Sequence, residues 1–236
     1  MPMTNHPSRR TLLAALAAAP LIAATKPKAA PRLSAQVSET AIGAYVVGNP
    51  DAKLRLIQYF SYTCGACSAF AGVADAPLKT AYIDKGLVAV EYRNLVRDPL
   101  DLTAAMLARA GGPVAFPGHY RAIMAGQPQW LVGATKLPEA VRQKWYEGTL
   151  SERAARIARD SGLAALMRTR GVTAVQIDAA LNSEVAQAAV TAMTNLARGA
   201  DRIASTPSFL LQGTQLVGVH NWPDVKSRLD QALRPA

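Results

Sequence analysis

The chain of 236 residues has only two cysteines and three histidines. Two cysteines cannot form the disulfide framework of a small secreted fold, which needs several bridges closing long loops. The cysteines lie three positions apart, as Cys64-Gly65-Ala66-Cys67. A bridge between them would close almost no loop and would remove little unfolded-chain entropy. The scarcity of histidine also counts against a structural zinc site, since two further ligands of suitable spacing are missing: His6, His119 and His220 stand far apart. Acidic residues are few, 16 against 26 Lys and Arg, for a formal net charge of +10. That balance admits nucleic acid, anionic lipid or acidic partners. The basic residues are thinly spread, without the clustered basics and aromatics of a nucleic-acid module, so no nucleic-acid partner is expected. Charged residues are only 18% of the chain and hydrophobic ones 50%. This composition suits a globular core and excludes intrinsic disorder.

No apolar run is long enough to span a bilayer as a helix. The longest follows Ser8-Arg9-Arg10-Thr11-Leu12-Leu13 and ends near Ala24. At about 14 residues it falls short of the roughly 20 that a helical span requires. A charged start, a short apolar stretch and small residues after it describe an export signal, assigned here to residues 1–30. The paired arginines resemble the twin-arginine type, which carries folded proteins across the bacterial inner membrane. An ordinary secretory signal holding two arginines is the competing reading. Both routes lead out of the cytoplasm, and the expected location is the periplasm.

What the chain does have is a strand–CxxC–helix sequence. Leu54–Phe60 is a strand-like run of apolar and aromatic residues. Cys64 follows four residues later, and 66–76 is helical until Pro77. Residues 87–93 form a second strand. From Pro99 to about Arg198 the period is helical, with helices expected at 102–109, 116–125, 138–147, 151–161, 163–170, 174–181 and 183–198. Thr173 and Gln176 make a capping box. Strands return at 207–211 and 215–219 around a Gly213-Thr214 turn, and Asn221-Trp222-Pro223 opens a last helix. The pattern is a split α/β domain: 31–98 and 201–236 form its two parts, and 99–200 is a large helical insertion.

Disulfide exchange needs a thiolate as nucleophile, and free cysteine has a pKa of about 8.5. Helix N-termini stabilise anions through unpaired N–H groups and the macrodipole. Cys64 at the helix start is therefore expected to be exposed, with a lowered pKa. Cys67, one turn in, should be buried and placed to resolve a mixed disulfide. Two other uses of the pair remain: soft ligands for copper in a metal-binding or chaperone module, or an inert buried pair. No cofactor or resident metal is expected. His119 and His220 read as packing or surface residues, and Trp130 and Trp145 as core.

Four segments together resemble the DsbA-like branch of the thioredoxin-fold superfamily over residues 42 to 230. They are Gly48-Asn49-Pro50-Asp51-Ala52, Phe60-Ser61-Tyr62-Thr63-Cys64-Gly65-Ala66-Cys67, Arg97-Asp98-Pro99-Leu100-Asp101, and Thr206-Pro207-Ser208-Phe209 with Gly213 after it. The resemblance implies a thioredoxin-like fold with a large helical insertion, catalytic Cys64 and Cys67, and thiol–disulfide exchange with unfolded or reduced client proteins. It also implies a cis peptide at Thr206-Pro207, where chemistry alone favours trans because only about 5–6% of X–Pro bonds in folded proteins are cis. A cis bond there would leave the Thr206 backbone free to pair with an extended client. Thr206, Pro207, Gly65 and Ala66 are thus the expected client-contacting residues.

Two departures from the family pattern bear on redox strength. A buried carboxylate common six residues before the first cysteine is replaced by Gln58, so that either Glu91 or a water route moves the proton, or exchange is slower. The Pro-His pair of strong oxidants is replaced by Gly65-Ala66, so a milder oxidant is expected. The family further implies reoxidation by a membrane redox partner. A monomer is expected, because too few residues separate the signal from Gly43 to form the dimerisation segment of isomerases. An isomerase or reductase is the competing activity.

Overall fold

A computed structural model describes residues 1–3 and 32–235. The expected export signal lies almost wholly outside the described residues. From Arg32 onward the chain builds one mixed sheet with helices around it. Its first strands are β1 (Val37–Glu39) and β2 (Tyr45–Val47), then β3 (Leu54–Phe60). Helix α1 (Gly65–Leu78) follows, then β4 (Val88–Asn94). The helical block is α2 (Pro99–Ala108), α3 (Phe116–Ala125), α4 (Gln127–Thr135), α5 (Glu139–Gln143), α6 (Leu150–Asp160), α7 (Leu163–Thr169), α8 (Ala174–Leu181) and α9 (Glu184–Arg198). The chain closes with β5 (Ser208–Leu211), β6 (Thr214–Gln215) and α10 (Trp222–Leu233). The strand order is β1-β2-β4-β3-β5-β6, with β3 and β4 parallel and β5 antiparallel to β3. This is the thioredoxin-like sheet, and the insertion occupies the connection between β4 and β5.

The central strands are mostly apolar because both faces of the sheet are covered, with Arg55, Gln58, Glu91, Arg93 and Asn94 as their polar positions. Side chains alternate along a strand, so each strand serves two cores. Leu54, Leu56 and Phe60 of β3 join Val88, Val90 and Tyr92 of β4 and Phe209 of β5 in the larger core, with α1, α2 and α3. Ile57, Tyr59 and Leu210 face the other way, towards Ala197 and Ile203. Phe70 of α1 packs on Phe209 with ring centroids 4.8 Å apart, which anchors the CxxC helix to β5.

The structure departs from the sequence reading in several places. Residues 31–50 contain two short strands, too brief to show a period in the sequence. Helix α1 runs through Pro77 and passes into a π-helical turn at Lys79–Ile83. A proline lacks one N–H, and the wider turn that follows lets the chain continue without a break. Helix α4 was not expected from the pattern, and the stretch at 138–147 is a short α-helix followed by a 3₁₀ turn at Lys144–Tyr146. The hairpin turn sits at Gln212-Gly213, both with positive φ, rather than at Gly213-Thr214. A two-residue hairpin loop with both residues left-handed matches the strand twist. Strand β6 ends at Gln215, and the chain turns before Val219.

Phe209 is fully buried between the sheet and α1. Phe209→Ala is expected to cost about 3–5 kcal/mol in a denaturant titration, the usual cost of truncating a buried phenylalanine.

A candidate dithiol active site

The site begins where β3 ends. Phe60 closes the strand, Ser61–Thr63 form a turn, and Cys64 is the N-cap of α1. Cys64 is 7% exposed and Cys67 is fully buried. The first sulfur is thus less open than expected; Gly65 and Ala66 form the exposed surface between the two. The turn is held by a residue from another part of the chain. Asp101, fully buried in the first turn of α2, accepts hydrogen bonds from the Ser61 hydroxyl (2.6 Å), the Tyr62 amide (2.7 Å) and the Arg97 amide (3.0 Å). Asp98, the N-cap of α2, accepts from the Thr63 hydroxyl at 3.1 Å and from the Asp101 amide at 2.8 Å. From α4, the buried Gln127 side chain donates to the carbonyls of Tyr62 (2.6 Å) and Cys64 (3.0 Å). The Tyr62 amide and the Tyr62 and Cys64 carbonyls are thus satisfied by side chains distant in sequence.

The opposite wall is the loop before β5. The Thr206-Pro207 peptide is cis. The Cys64 thiol donates to the Thr206 carbonyl at 3.2 Å. That carbonyl, expected to be free for a client, is engaged by Cys64 while the cysteine carries its proton. The Pro207 carbonyl is taken by His220 Nδ1 at 2.8 Å, so His220 serves to hold the loop. His119 is buried in the insertion against the Ala108 carbonyl, and burial lowers its pKa. Trp130 and Trp145 are both core, each with its indole N–H bonded.

The two thiols titrate in opposite directions. The Cys64 pKa is lowered to about 5, first by the hydrogen bond from Cys67, then against burial by Thr206 and the amides of Cys67 and Ala66. These amides belong to the first turn of α1, where the N–H groups point towards the Cys64 sulfur. Cys67 is raised above its ordinary value, because it donates to Cys64 and because it is buried. These opposite shifts favour a thiolate on Cys64, at the start of α1, and a thiol on Cys67 beneath it.

Of the two proton routes offered by the sequence, Glu91 is ruled out by the sheet. Gln58 pairs with Tyr92 across β3–β4, and Glu91 pairs with Ile57, so Gln58 and Glu91 point to opposite faces. Glu91 is held by Arg93 (2.7 Å) and Arg55 (3.4 Å), on the side away from α1. Gln58 lies on the α1 side and donates to the Tyr120 hydroxyl at 3.1 Å. Asp101 and Gln127 were not singled out by the sequence. Asp101 sat in a recognised segment, but its burial depends on elements remote in sequence. Nothing in the local pattern marks Gln127. Among the described residues no cluster of three or more His, Cys, Asp or Glu could hold a metal ion.

Burial pushes the Asp101 carboxyl up to about 7, against its three hydrogen-bond donors. A carboxyl in an unfolded chain titrates near 3.9. The folded state therefore holds an extra proton between about pH 4 and pH 7, and this contribution to stability is lost as pH rises through that window. The stability of the wild type relative to Asp101→Asn should accordingly fall from pH 4 to pH 7, by up to about 4 kcal/mol, and level off above it. Urea titrations at a series of pH values measure the difference.

The comparisons with known proteins agree with this geometry. Residues 40–231 match the family model described as thioredoxin. A Rickettsia felis protein that carries the provisional name protein-disulfide oxidoreductase is 28% identical over 189 residues, 80% of this chain and 59% of that protein. The Rickettsia prowazekii counterpart, also provisionally named, is 28% identical and is covered over 61% of its length. The chain thus spans about three fifths of the curated relatives it matches. Among solved structures, the crystal structure of protein-disulfide isomerase from Novosphingobium aromaticivorans is 36% identical, with a TM-score of 0.73, covering 78% of this chain and 96% of that one. Wolbachia pipientis alpha-DsbA1 shares the fold at 17% identity and a TM-score of 0.64, over 80% of this chain and 90% of that one. Fold, dithiol and family match agree: the chain belongs to the thioredoxin family, with DsbA-like proteins among its structural neighbours.

Proposed function

We propose that the protein is an exported thiol–disulfide oxidoreductase that donates the Cys64–Cys67 disulfide to client proteins. The observation that carries this reading is the asymmetry of the dithiol: one sulfur is stabilised as a thiolate at a helix start, and the other is buried as a thiol.

The oxidised enzyme would act in two exchanges. A client thiolate attacks Cys64 Sγ, the Cys64–Cys67 bond breaks, and Cys67 leaves and takes up a proton. A second client thiolate then attacks the client sulfur of the mixed disulfide, and Cys64 leaves as a thiolate. The client gains a disulfide and the enzyme gains two electrons. One of the two client protons ends on Cys67 and the other goes to solvent. A leaving thiol of low pKa departs faster, which suits Cys64 to the second step. Thr206 borders Cys64 on the side proposed for the client, with the buried Pro207 behind it and Gly65 and Ala66 exposed beside it.

The direction of the reaction follows from which state is stabilised. A stabilised Cys64 thiolate favours the reduced enzyme and so makes the disulfide oxidising. A pKa of about 5 lies between the values of about 7 for thioredoxin and about 3.5 for a strong oxidant. This supports a mild oxidant, in keeping with Gly65-Ala66 carrying no charge between the cysteines. Export is supported by Arg9-Arg10 and the apolar run behind them, and no described helix is long and apolar enough to cross a membrane.

Alkylation of the reduced protein should show Cys64 reacting with an apparent pKa near 5, while Cys67 stays unreactive. Cys64→Ser should abolish exchange; survival of exchange would remove the nucleophile assignment. Equilibration in glutathione buffers should give a potential of about −120 to −180 mV, whereas a value near −270 mV would favour a reductase. Replacing Arg9 and Arg10 by lysine should block export of a folded reporter fused to residues 1–30 if the leader is of the twin-arginine type.

A further inference from the structure

Two clefts meet beside the dithiol. One opens on Cys64 and is edged by Leu95, Ile203 and Ser205–Thr206, with a volume of about 460 Å³. The other, about 320 Å³, lies between α2, α6 and α9 over Leu102, Ile157 and Val190. Arg97 and Arg198 line both, so the two form one groove leading away from the reacting sulfur. A third guanidinium, Arg153, lines its far part.

The arginines along this groove differ from those that brace the sheet. Arg93, Arg55 and Arg109 are each paired with a carboxylate. Arg97, Arg153 and Arg198 form no ion pair among the described residues. Two of them are nonetheless held in place by backbone carbonyls: Arg198 donates to Val96 at 3.0 Å and Arg153 to Trp145 at 2.9 Å. Their remaining N–H groups are available to a guest. The one carboxylate on the wall, Asp98, is occupied by the Thr63 hydroxyl and the Asp101 amide. An apolar floor beside three guanidiniums without carboxylate partners, two of them anchored, is complementary to a chain carrying both apolar and carboxylate side chains. The groove is concave and starts at Cys64, a shape that fits an extended chain rather than a flat lipid surface.

We propose that this groove seats the client segment next to the reacting cysteine, and that it selects extended segments with an acidic and an apolar side chain close to that cysteine. The inference rests on the exchange reading and names its substrate class. The apolar side chain enters between α2 and α9, and the carboxylate meets Arg97 or Arg198. Exposed ion pairs are individually weak and salt-sensitive, so the preference should be moderate and should fade with ionic strength.

The test uses the full chain, oxidised at Cys64–Cys67, and three reduced two-cysteine peptides that differ only in Glu, Gln or Lys beside a Leu-Cys pair. Each oxidation rate is divided by that peptide's rate with neutral hydroxyethyl disulfide, which removes the effect of the flanking charge on the thiol itself. The Glu peptide should be oxidised about tenfold faster than the Lys peptide at low salt, with Gln between them, as two weak exposed pairs allow. High salt and the variant R97Q/R198Q should each bring the ratio down to about threefold or less. R97Q alone, whose side chain makes no hydrogen bond among the described residues, gives a partial loss and serves if the double variant does not fold. Equal normalised rates, or a preference that the arginine variants leave unchanged, would overturn the proposal. So would peptide indifference combined with arginine-dependent binding to phosphatidylglycerol vesicles, which would mark the patch as a lipid contact. If no peptide is oxidised at all, the exchange reading fails and takes this one with it.

Discussion

The Asp101 carboxylate, buried at the start of α2, accepts from Ser61, Tyr62 and Arg97 and so joins the turn before Cys64 to the loop after β4. The turn sets where α1 begins, and the start of α1 sets which amides face the Cys64 sulfur. Gln127 completes the restraint from the far side by taking the Tyr62 and Cys64 carbonyls. A carboxyl held without water carries a desolvation cost, seen in its raised pKa, and its three donors offset part of that cost. The reactive geometry is therefore maintained by residues that do not touch the sulfurs.

The sheet provides the second constraint. Alternation along β3 and β4 puts Gln58 and Glu91, one register position apart on neighbouring strands, on opposite faces. Glu91 joins a cluster with Arg55 and Arg93, and Arg93 extends it to Asp201 and the Tyr59 hydroxyl. That cluster fixes the loop after α9 against the sheet, close to where the chain turns towards Thr206. A charged residue can thus be buried near an active site and serve only to align it. On the α1 side Gln58 offers no titratable group and is bonded to the Tyr120 hydroxyl.

The parts of the fold that were legible in the sequence are those governed by local chemistry. The strand at Leu54–Phe60, the capping box at Thr173 and Gln176, and the helix opening at Asn221 each carry their signal within a few residues. Helix α1 could not be followed past Pro77, because continuation depends on the π-helical turn behind it and on packing against the sheet. Helix α4 has no strong period, and its identity comes from Trp130 and Gln127 fitting sites formed by other elements. The strand expected at 215–219 ends after Gln215, because the chain turns at Gly218, which has a positive φ, and the Val219 amide bonds back to the Leu216 carbonyl.

The sequence by itself determined that two cysteines stand one helical turn apart at a strand-to-helix junction, because that spacing and junction are local. It also determined the sign of the Cys64 shift, since a helix start favours an anion wherever it is found. Only the tertiary structure decided what lies around the pair. Thr206 meets Cys64 across 142 positions of chain, and Asp101 reaches Ser61 across 40. Contacts of that span arise from the way β5 returns beside β3 and α2 crosses the end of the sheet. No local propensity encodes them.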